Sequence, residues 1–276
     1  MDFFQITILS LVQGITEFLP ISSSAHLALA PSLVGWHNQG QLLDVALHVG
    51  TLGAILIYFI KDVFKMSAGF FHVLRGKKTE GSRLFCNMII GSIPVIIVGF
   101  IIKSYGFSFR SMTLMAVNLG CFGVLMGIAD RAGTTGNHLN AMTGTQALLI
   151  GMGQSLALIP GVSRSGICLT FSRILGFARP DAARFTFLLA IPAISGAACL
   201  TGFEAYKTGK LMALNHDLFW LMGGSFVVGL LAIHFIMRYL CSGTLMPFAI
   251  YRVILGILLY LLATGHSLVA FLPPLL

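Results

Sequence analysis

The chain has 276 residues, of which 57% are hydrophobic and only 9% charged, and its formal net charge is +8. A soluble globular protein carries roughly 25% charged residues, so with a mean hydropathy of +0.91 this exterior must face lipid, and the chain reads as a polytopic membrane protein. The positive balance does not indicate nucleic acid, because the basic residues lie mostly between apolar spans, where they act as topogenic and phospholipid-facing charge.

In chain order, the start Met1-Asp2 lacks a basic n-region, and no cleavable signal peptide is expected. The first apolar region, 3–35, is broken near its middle by Gln13-Gly-Ile-Thr-Glu17-Phe-Leu-Pro20-Ile-Ser22-Ser23-Ser24-Ala-His26. Pro20 lacks an N–H and biases Leu19 away from helical angles, so it is expected to stop a helix. The serines after it are good N-caps for a second helix. A second broken region, 144–177, carries Gln154 and then Pro160-Gly-Val-Ser163-Arg164-Ser165-Gly166. Each half of these two regions is too short to cross a bilayer, so both read as helical hairpins that enter and leave on one side.

Six stretches are long enough to span, given the roughly 20 residues that a helix needs: about 43–60, 84–102, 112–130, 182–202, 218–238 and 247–264. Each broken region precedes three of them. An internal repeat with an odd number of spans inverts its second copy, which predicts one membrane domain over 1–276, with repeats of about 1–135 and 136–276. The two hairpins would then meet near the midplane from opposite faces. The run 61–85 reads as a basic loop with Lys61, Lys65, Arg75, Lys77, Lys78 and Arg83, and the residues Arg131, Arg173–Arg184, Arg238 and Arg252 fall on the same face. Only Lys103, Arg110, Lys207 and Lys210 fall on the other. The first face is therefore expected to be cytoplasmic, with both termini and the first hairpin open to the outside. Gly123 and Gly127 fit close helix packing. Cys86, Cys121, Cys168, Cys199 and Cys241 stand singly, without the spacing of a disulfide framework or zinc site.

Ionisable groups at membrane depth are costly and mark sites by default; here they are Glu17, His26, Asp44, His48 and Arg164. The segment Gly161 to Gly166 has the character of a phosphate cradle. Its glycines let the backbone approach an anion, Ser163 and Ser165 cap the following helix, and Arg164 supplies a planar fork that matches phosphate oxygens. Ser22, Ser23 and Ser24 present a second helix N-terminus. Two positive helix ends and an arginine favour a multiply charged anion such as a diphosphate. Gln13 and Glu17 share a helix face and could hold a hard divalent cation, Mg²⁺ or Ca²⁺. A serine beside His26 is the usual arrangement of nucleophile and base, although the imidazole could itself attack phosphorus. Structural uses are also open: the serines as caps, Glu17 as ion-pair partner of Arg164, His26 as a satisfied histidine, and Asp44 bonded to His48 within a span. His37, His72, His138, His216 and His266 read as surface groups, and His234, Arg238 and Arg252 as interface or topogenic residues.

The two polar motifs resemble those of the bacterial undecaprenyl-diphosphate phosphatase family, also called bacitracin-resistance proteins. The likeness extends through Asp44-Val-Ala-Leu-His-Val-Gly-Thr, Phe185-Thr-Phe-Leu-Leu-Ala-Ile-Pro192 and Pro247-Phe-Ala-Ile-Tyr-Arg252, and so covers nearly the whole chain. It implies an integral enzyme of the bacterial plasma (inner) membrane that removes the terminal phosphate of undecaprenyl diphosphate, with the site toward the external or periplasmic face. The monophosphate carrier would return to cell-wall synthesis, and bacitracin resistance would follow. The family's E/Q-x-x-x-E motif falls on Gln13 and Glu17, its serine-histidine motif on Ser22, Ser23 and His26, and P-G-x-S-R-S-G on Ser163, Arg164 and Ser165. Members typically depend on a divalent cation. Three positions depart: Gln13 where many members have glutamate, Ala25 where glycine is common, and Cys168 where threonine is usual.

The combined reading is an all-α lipid diphosphate phosphatase. Glu17, Ser23, His26 and Arg164 would be catalytic, with Ser23 or His26 attacking and Glu17 holding a metal or acting as base. Ser22, Ser24, Gly161, Ser163, Ser165 and Gly166 would bind phosphate, and Gln13 with Glu17 would hold the cation. The expected partners are a polyprenyl diphosphate lipid and membrane lipids, with a homodimer left open and no nucleic acid. The alternative from another class is an inverted-repeat transporter or flippase for a polyprenyl phosphate or other anion, in which Ser23 and His26 would be replaceable.

Overall fold

The computed structural model describes residues 1–36, 40–106, 111–209 and 215–265. His37 and His266, expected at the surface, and Arg110 and Lys210, expected on the less basic face, lie outside the described residues. Among the described residues the architecture is all-helical. The helices are α1 (Phe3–Thr16), α2 (Ser23–Val34), α3 (Gln41–Tyr58), α4 (Ile60–Leu74), α5 (Glu80–Tyr105) and α6 (Met112–Ala132). They continue as α7 (Gly144–Leu156), α8 (Arg164–Ile174), α9 (Arg179–Lys207), α10 (Asn215–Tyr239) and α11 (Met246–Ala263). Six of them, α3, α5, α6, α9, α10 and α11, are long and apolar enough to cross a membrane. These are the six stretches expected from hydropathy.

The boundaries move for local reasons. Helix α5 starts at Glu80 rather than 84, because Thr79 and Ser82 form a reciprocal capping box that satisfies the first N–H groups. Helix α9 starts at Arg179, with Pro180 in its first turn, where a missing N–H costs nothing. The run 61–85 is not a loop. Its first part is α4, an amphipathic helix that exposes Phe64, Phe71 and Leu74, and Gly69 lets its backbone close on Gly81 of α5. The basic residues there had masked the helical period of the apolar ones.

The core is built around α8, a short helix that is mostly buried although it carries Ser165, Thr170, Ser172 and Arg173. Helices α6, α7 and α9 pack around it. Its own Ile167 and Leu169 join Phe18, Phe185, Phe187, Leu188 and Leu189 in one buried apolar cluster. Apolar side chains also cover the outside: Ile97, Phe100, Val124, Ile128, Leu231 and Ile254 are all exposed. That apolar surface suits a lipid solvent, where the polar groups of the interior must be satisfied within the protein.

Two buried acids tie the helix ends together. Asp130 accepts from Arg173 Nε at 3.1 Å, from Arg179 Nε at 2.7 Å and from the Leu245 amide at 2.9 Å. Asp62 accepts both Nε and Nη2 of Arg184, joining α4 to α9. Close approach of helices rests on glycines. Gly151 of α7 lies against the backbone of Gly91 in α5, and Gly123 and Gly127 of α6 lie against Arg252, Ala249 and Met246 of α11.

Candidate active site

The first polar turn begins where α1 ends. Bonds of the helical i to i−4 kind continue past Thr16, with the Glu17 amide on the Gln13 carbonyl and the Leu19 amide on that of Ile15. Pro20 has no N–H to continue the series. Phe18 then anchors the turn in the core, edge to face on Phe187 at 5.4 Å between centroids. Ser22 takes φ 77° and ψ 90°, and α2 starts at Ser23. Ser22 stands at the N-cap position but caps with no side-chain bond; its hydroxyl lies 3.2 Å from that of Ser24.

The second turn repeats this geometry between α7 and α8. Ser163 takes φ 70° and ψ 115°, and its hydroxyl does cap, accepting the Gly166 amide at 3.2 Å. Ser163 and Ser165 hydroxyls are 3.4 Å apart, which matches the Ser22–Ser24 pair. Gly161, at φ +89°, sits where any Cβ would strike the Met115 carbonyl of α6, and Asn118 Nδ2 holds the Pro160 carbonyl at 2.9 Å. Glycine is required there both by conformation and by space.

The two turns meet at Glu17. Its Oε1 accepts Arg164 Nη2 at 2.6 Å. Its Oε2 accepts Ser23 Oγ at 2.7 Å and Gln13 Nε2 at 3.0 Å, and His48 Nε2 lies 3.4 Å away. Four helices, α1, α2, α3 and α8, thus converge on one buried carboxylate. Ser165 Oγ adds a longer link to the Leu19 carbonyl at 3.4 Å.

His26 stands apart from this hub. Its Nδ1 lies 2.8 Å from the Ser22 carbonyl, and its Nε2 lies 2.8 Å from the Tyr251 hydroxyl. A carbonyl only accepts, so Nδ1 carries the proton, and neutral Nε2 then accepts from Tyr251. The imidazole and phenol rings stack at 5.8 Å and 10°. The structure therefore partners Ser23 with a carboxylate and His26 with a backbone carbonyl and a phenol.

Several buried polar atoms at the site have no partner: Gln13 Oε1, Arg164 Nη1, and Nε and Nη1 of Arg252. A buried donor left unbonded is costly. Arg164 Nη1 and the first-turn N–H groups of α8 other than that of Gly166, which Ser163 caps, are donors of the kind that suits an anion. Among the described residues no three His, Cys, Asp or Glu side chains cluster as a metal cage. Both Glu17 oxygens accept hydrogen bonds, and Gln13 turns Nε2 rather than Oε1 toward them, so Gln13 Oε1 would join Glu17 on a cation once the Gln13 amide rotates, with water and substrate phosphate completing the shell.

Arg252 and Tyr251 join the site beyond the sequence expectation, and His48, a candidate there, takes a direction the sequence left open. His48 bonds the backbone carbonyl of Asp44 through Nδ1 at 2.7 Å, which turns Nε2 toward Glu17, so the expected Asp44–His48 pair is not its main role. Arg252 is fully buried rather than topogenic. Its Nη2 donates to the carbonyls of Gly161 and Val162 at 3.1 and 2.7 Å, and Nη1 occupies the space that a Cβ on Gly166 would need. Tyr251 enters the site through its hydroxyl, 2.8 Å from His26 Nε2. A charge inside an otherwise apolar span was the available signal for Arg252, and the family-like stretch Pro247–Arg252 contains both Tyr251 and Arg252.

A sequence model of the bacitracin resistance protein BacA family matches residues 6–258. The chain belongs to the BacA family. Curated relatives extend over almost its full length. An undecaprenyl-diphosphatase of Chromohalobacter salexigens is 42% identical, covering 94% of this chain and 98% of its own. One from Ruegeria pomeroyi is 40% identical over the same shares. One from Teredinibacter turnerae is 41% identical, covering 95% of this chain and 99% of its own.

Proposed function

We propose that this BacA-family protein is an integral membrane undecaprenyl-diphosphate phosphatase, releasing inorganic phosphate and the monophosphate carrier. The observation that carries the site assignment is the Glu17 hub. One carboxylate holds a serine hydroxyl at 2.7 Å and a guanidinium at 2.6 Å, and that guanidinium keeps a second nitrogen free.

In this reading the terminal phosphate docks on Arg164 Nη1, the α8 N-terminus and the hydroxyls of Ser163 and Ser165. Ser22 and Ser24, beside the nucleophile, take further phosphate oxygens. Ser23 Oγ attacks the terminal phosphorus, an Oγ–P bond forms, and the bond from phosphorus to the bridging oxygen breaks. The hydroxyl proton passes to Glu17, and undecaprenyl phosphate leaves with the bridging oxygen. Water then attacks the phosphoserine, and inorganic phosphate departs as Ser23 recovers its proton. Transition states of this class are loose, so positioning and charge neutralisation contribute most. His48 and Arg164 offset the charge at Glu17. Gln13 Oε1 and Glu17 would hold a divalent cation, Mg²⁺ or Ca²⁺, which would neutralise phosphate charge when bound.

The apolar groove of about 320 Å³ between α6 and α11, lined by Val124, Ile128, Ile250, Val253 and Ile254 among others, offers a seat for part of the isoprenoid tail. The helix pairs α1–α2 and α7–α8 are read as re-entrant hairpins of one inverted repeat within a single domain. Their helices have 14, 12, 13 and 11 residues, short of the roughly 20 that a crossing needs. The matched strain at Ser22 and Ser163 supports the repeat. The excess of Lys and Arg on the α4–α5 side supports a cytoplasmic placement of that side, in the bacterial inner membrane, with the site open outward.

The test is phosphate release from undecaprenyl diphosphate by purified protein in detergent, with and without Mg²⁺ or Ca²⁺. Detergent leaves no second compartment, so release there requires hydrolysis. Intact protein that binds the lipid but releases nothing under any cation would refute the proposal and favour transport.

A further inference from the structure

Ser22 and Ser163 are the non-glycine residues with positive φ among the described residues, at 77° and 70°. Strained positions persist only where their surroundings hold them. Both are held from the same helix, by consecutive residues. Tyr251 of α11 bonds His26 Nε2 at 2.8 Å, and His26 in turn bonds the Ser22 carbonyl at 2.8 Å. Arg252, the next residue, grips the carbonyls of Gly161 and Val162, which immediately precede Ser163. Neighbours on a helix point about 100° apart, so adjacent residues can reach two separate turns. Helix α11 is itself seated on α6, where Arg252 Cβ and Ala249 press on Gly123 and Gly127. The same α6 supports the second turn through Met115 and Asn118.

We propose that Tyr251 and Arg252 form a clasp: two positioning residues on one helix that set the serine-bearing turn against the arginine-bearing turn. The proposal rests on the site reading above, and it makes His26 the link through which Tyr251 acts. The Ser23–Glu17–Arg164 alignment then depends on α11, although neither clasp residue touches Glu17. The unengaged Nη1 of Arg252 lies against Gly166, close to the N-terminus of α8, and adds positive charge behind the phosphate cradle.

Tyr251→Phe keeps the ring and its stacking and removes only the hydroxyl. Phosphate release from undecaprenyl diphosphate would be measured in detergent for the wild type, Tyr251→Phe, His26→Ala and the double variant, with thermal unfolding followed alongside. The expected result is a loss of about tenfold in kcat for Tyr251→Phe with KM nearly unchanged, and a double variant no worse than His26→Ala alone. A raised KM with normal kcat would make Tyr251 a substrate contact, and losses that multiply would show that it acts apart from His26; either overturns the clasp, as does an unchanged kcat. On the other arm, Arg252→Lys retains a donor for the two carbonyls and should keep more activity than Arg252→Met, whose side chain has no donor; equal activities would remove Arg252 from the clasp. If the wild type itself releases no phosphate, the underlying site reading fails instead, which separates the two claims.

Discussion

Ser23 Oγ donates to Glu17 Oε2 at 2.7 Å across the first polar turn, and Ser23 bonds Glu17 rather than the His26 that follows three residues later. A carboxylate that holds the serine can take its proton. The histidine serves the backbone of the turn. In the proposed reading this bond gives Ser23 the attacking role and His26 a positioning one.

Ser23→Ala should reduce phosphate release by about a thousandfold or more, since it removes the attacking atom. His26→Ala should leave a residual rate well above that, because it loosens Ser22 without removing a reacting group. Steady-state rates of the two variants check this order, and the reverse order would return the nucleophile to His26.

Arg164→Lys should cost about a hundredfold in kcat/KM despite keeping the charge. The guanidinium bonds Glu17 through Nη2 at 2.6 Å while Nη1 remains free. A single ammonium cannot hold the carboxylate and a phosphate oxygen in that fork geometry. A Lys variant near wild-type rate would show that only net charge matters.

Gln13→Glu should lower the Mg²⁺ concentration needed for half-maximal activity, by about tenfold. At present Gln13 donates Nε2 to Glu17 at 3.0 Å and leaves Oε1 buried without a partner. A second carboxylate four residues from the first adds a charged oxygen ligand. Without cation the variant should be less active than wild type, as two carboxylates then repel. A cation titration of both proteins reads both effects.

Asp130→Asn should destabilise the fold by about 3–5 kcal/mol, because it leaves Arg173 and Arg179 without their shared counter-charge in a buried place. The cluster makes no contact with Glu17, so the protein that remains folded should keep its KM. Thermal unfolding in detergent beside initial rates separates stability from catalysis.

The six spans were legible because apolar runs of that length have one use, and the helix breaks because Pro20 and the serines punctuate them. Glu17 and Arg164 stood out as charges at membrane depth, and the ion pair weighed for them is the bond observed. What sequence could not supply was direction. Asp44 and His48 are four apart and invite pairing, but a helical carbonyl at the same spacing captured the imidazole and aimed its other nitrogen at Glu17. Arg252 resembled a topogenic charge because its neighbours are apolar. Its burial depends on Gly166 and Gly123, which lie about 86 and 129 residues away in the chain and make room only once the helices have packed. Whether Ser23 faced a histidine or a carboxylate depended on the φ of Ser22, a backbone choice with no residue-type signature.

The most direct test of the account is phosphate release from undecaprenyl diphosphate by wild type and Glu17→Gln, each verified as folded by its unfolding transition. Glutamine keeps the shape and one oxygen, but it loses the charge that orients Arg164 and receives the Ser23 proton. The account predicts release by the wild type and a loss of about a thousandfold or more in the variant. A variant that releases phosphate at near wild-type rate would contradict it, because Glu17 would then be a structural anchor and the chemistry would lie elsewhere.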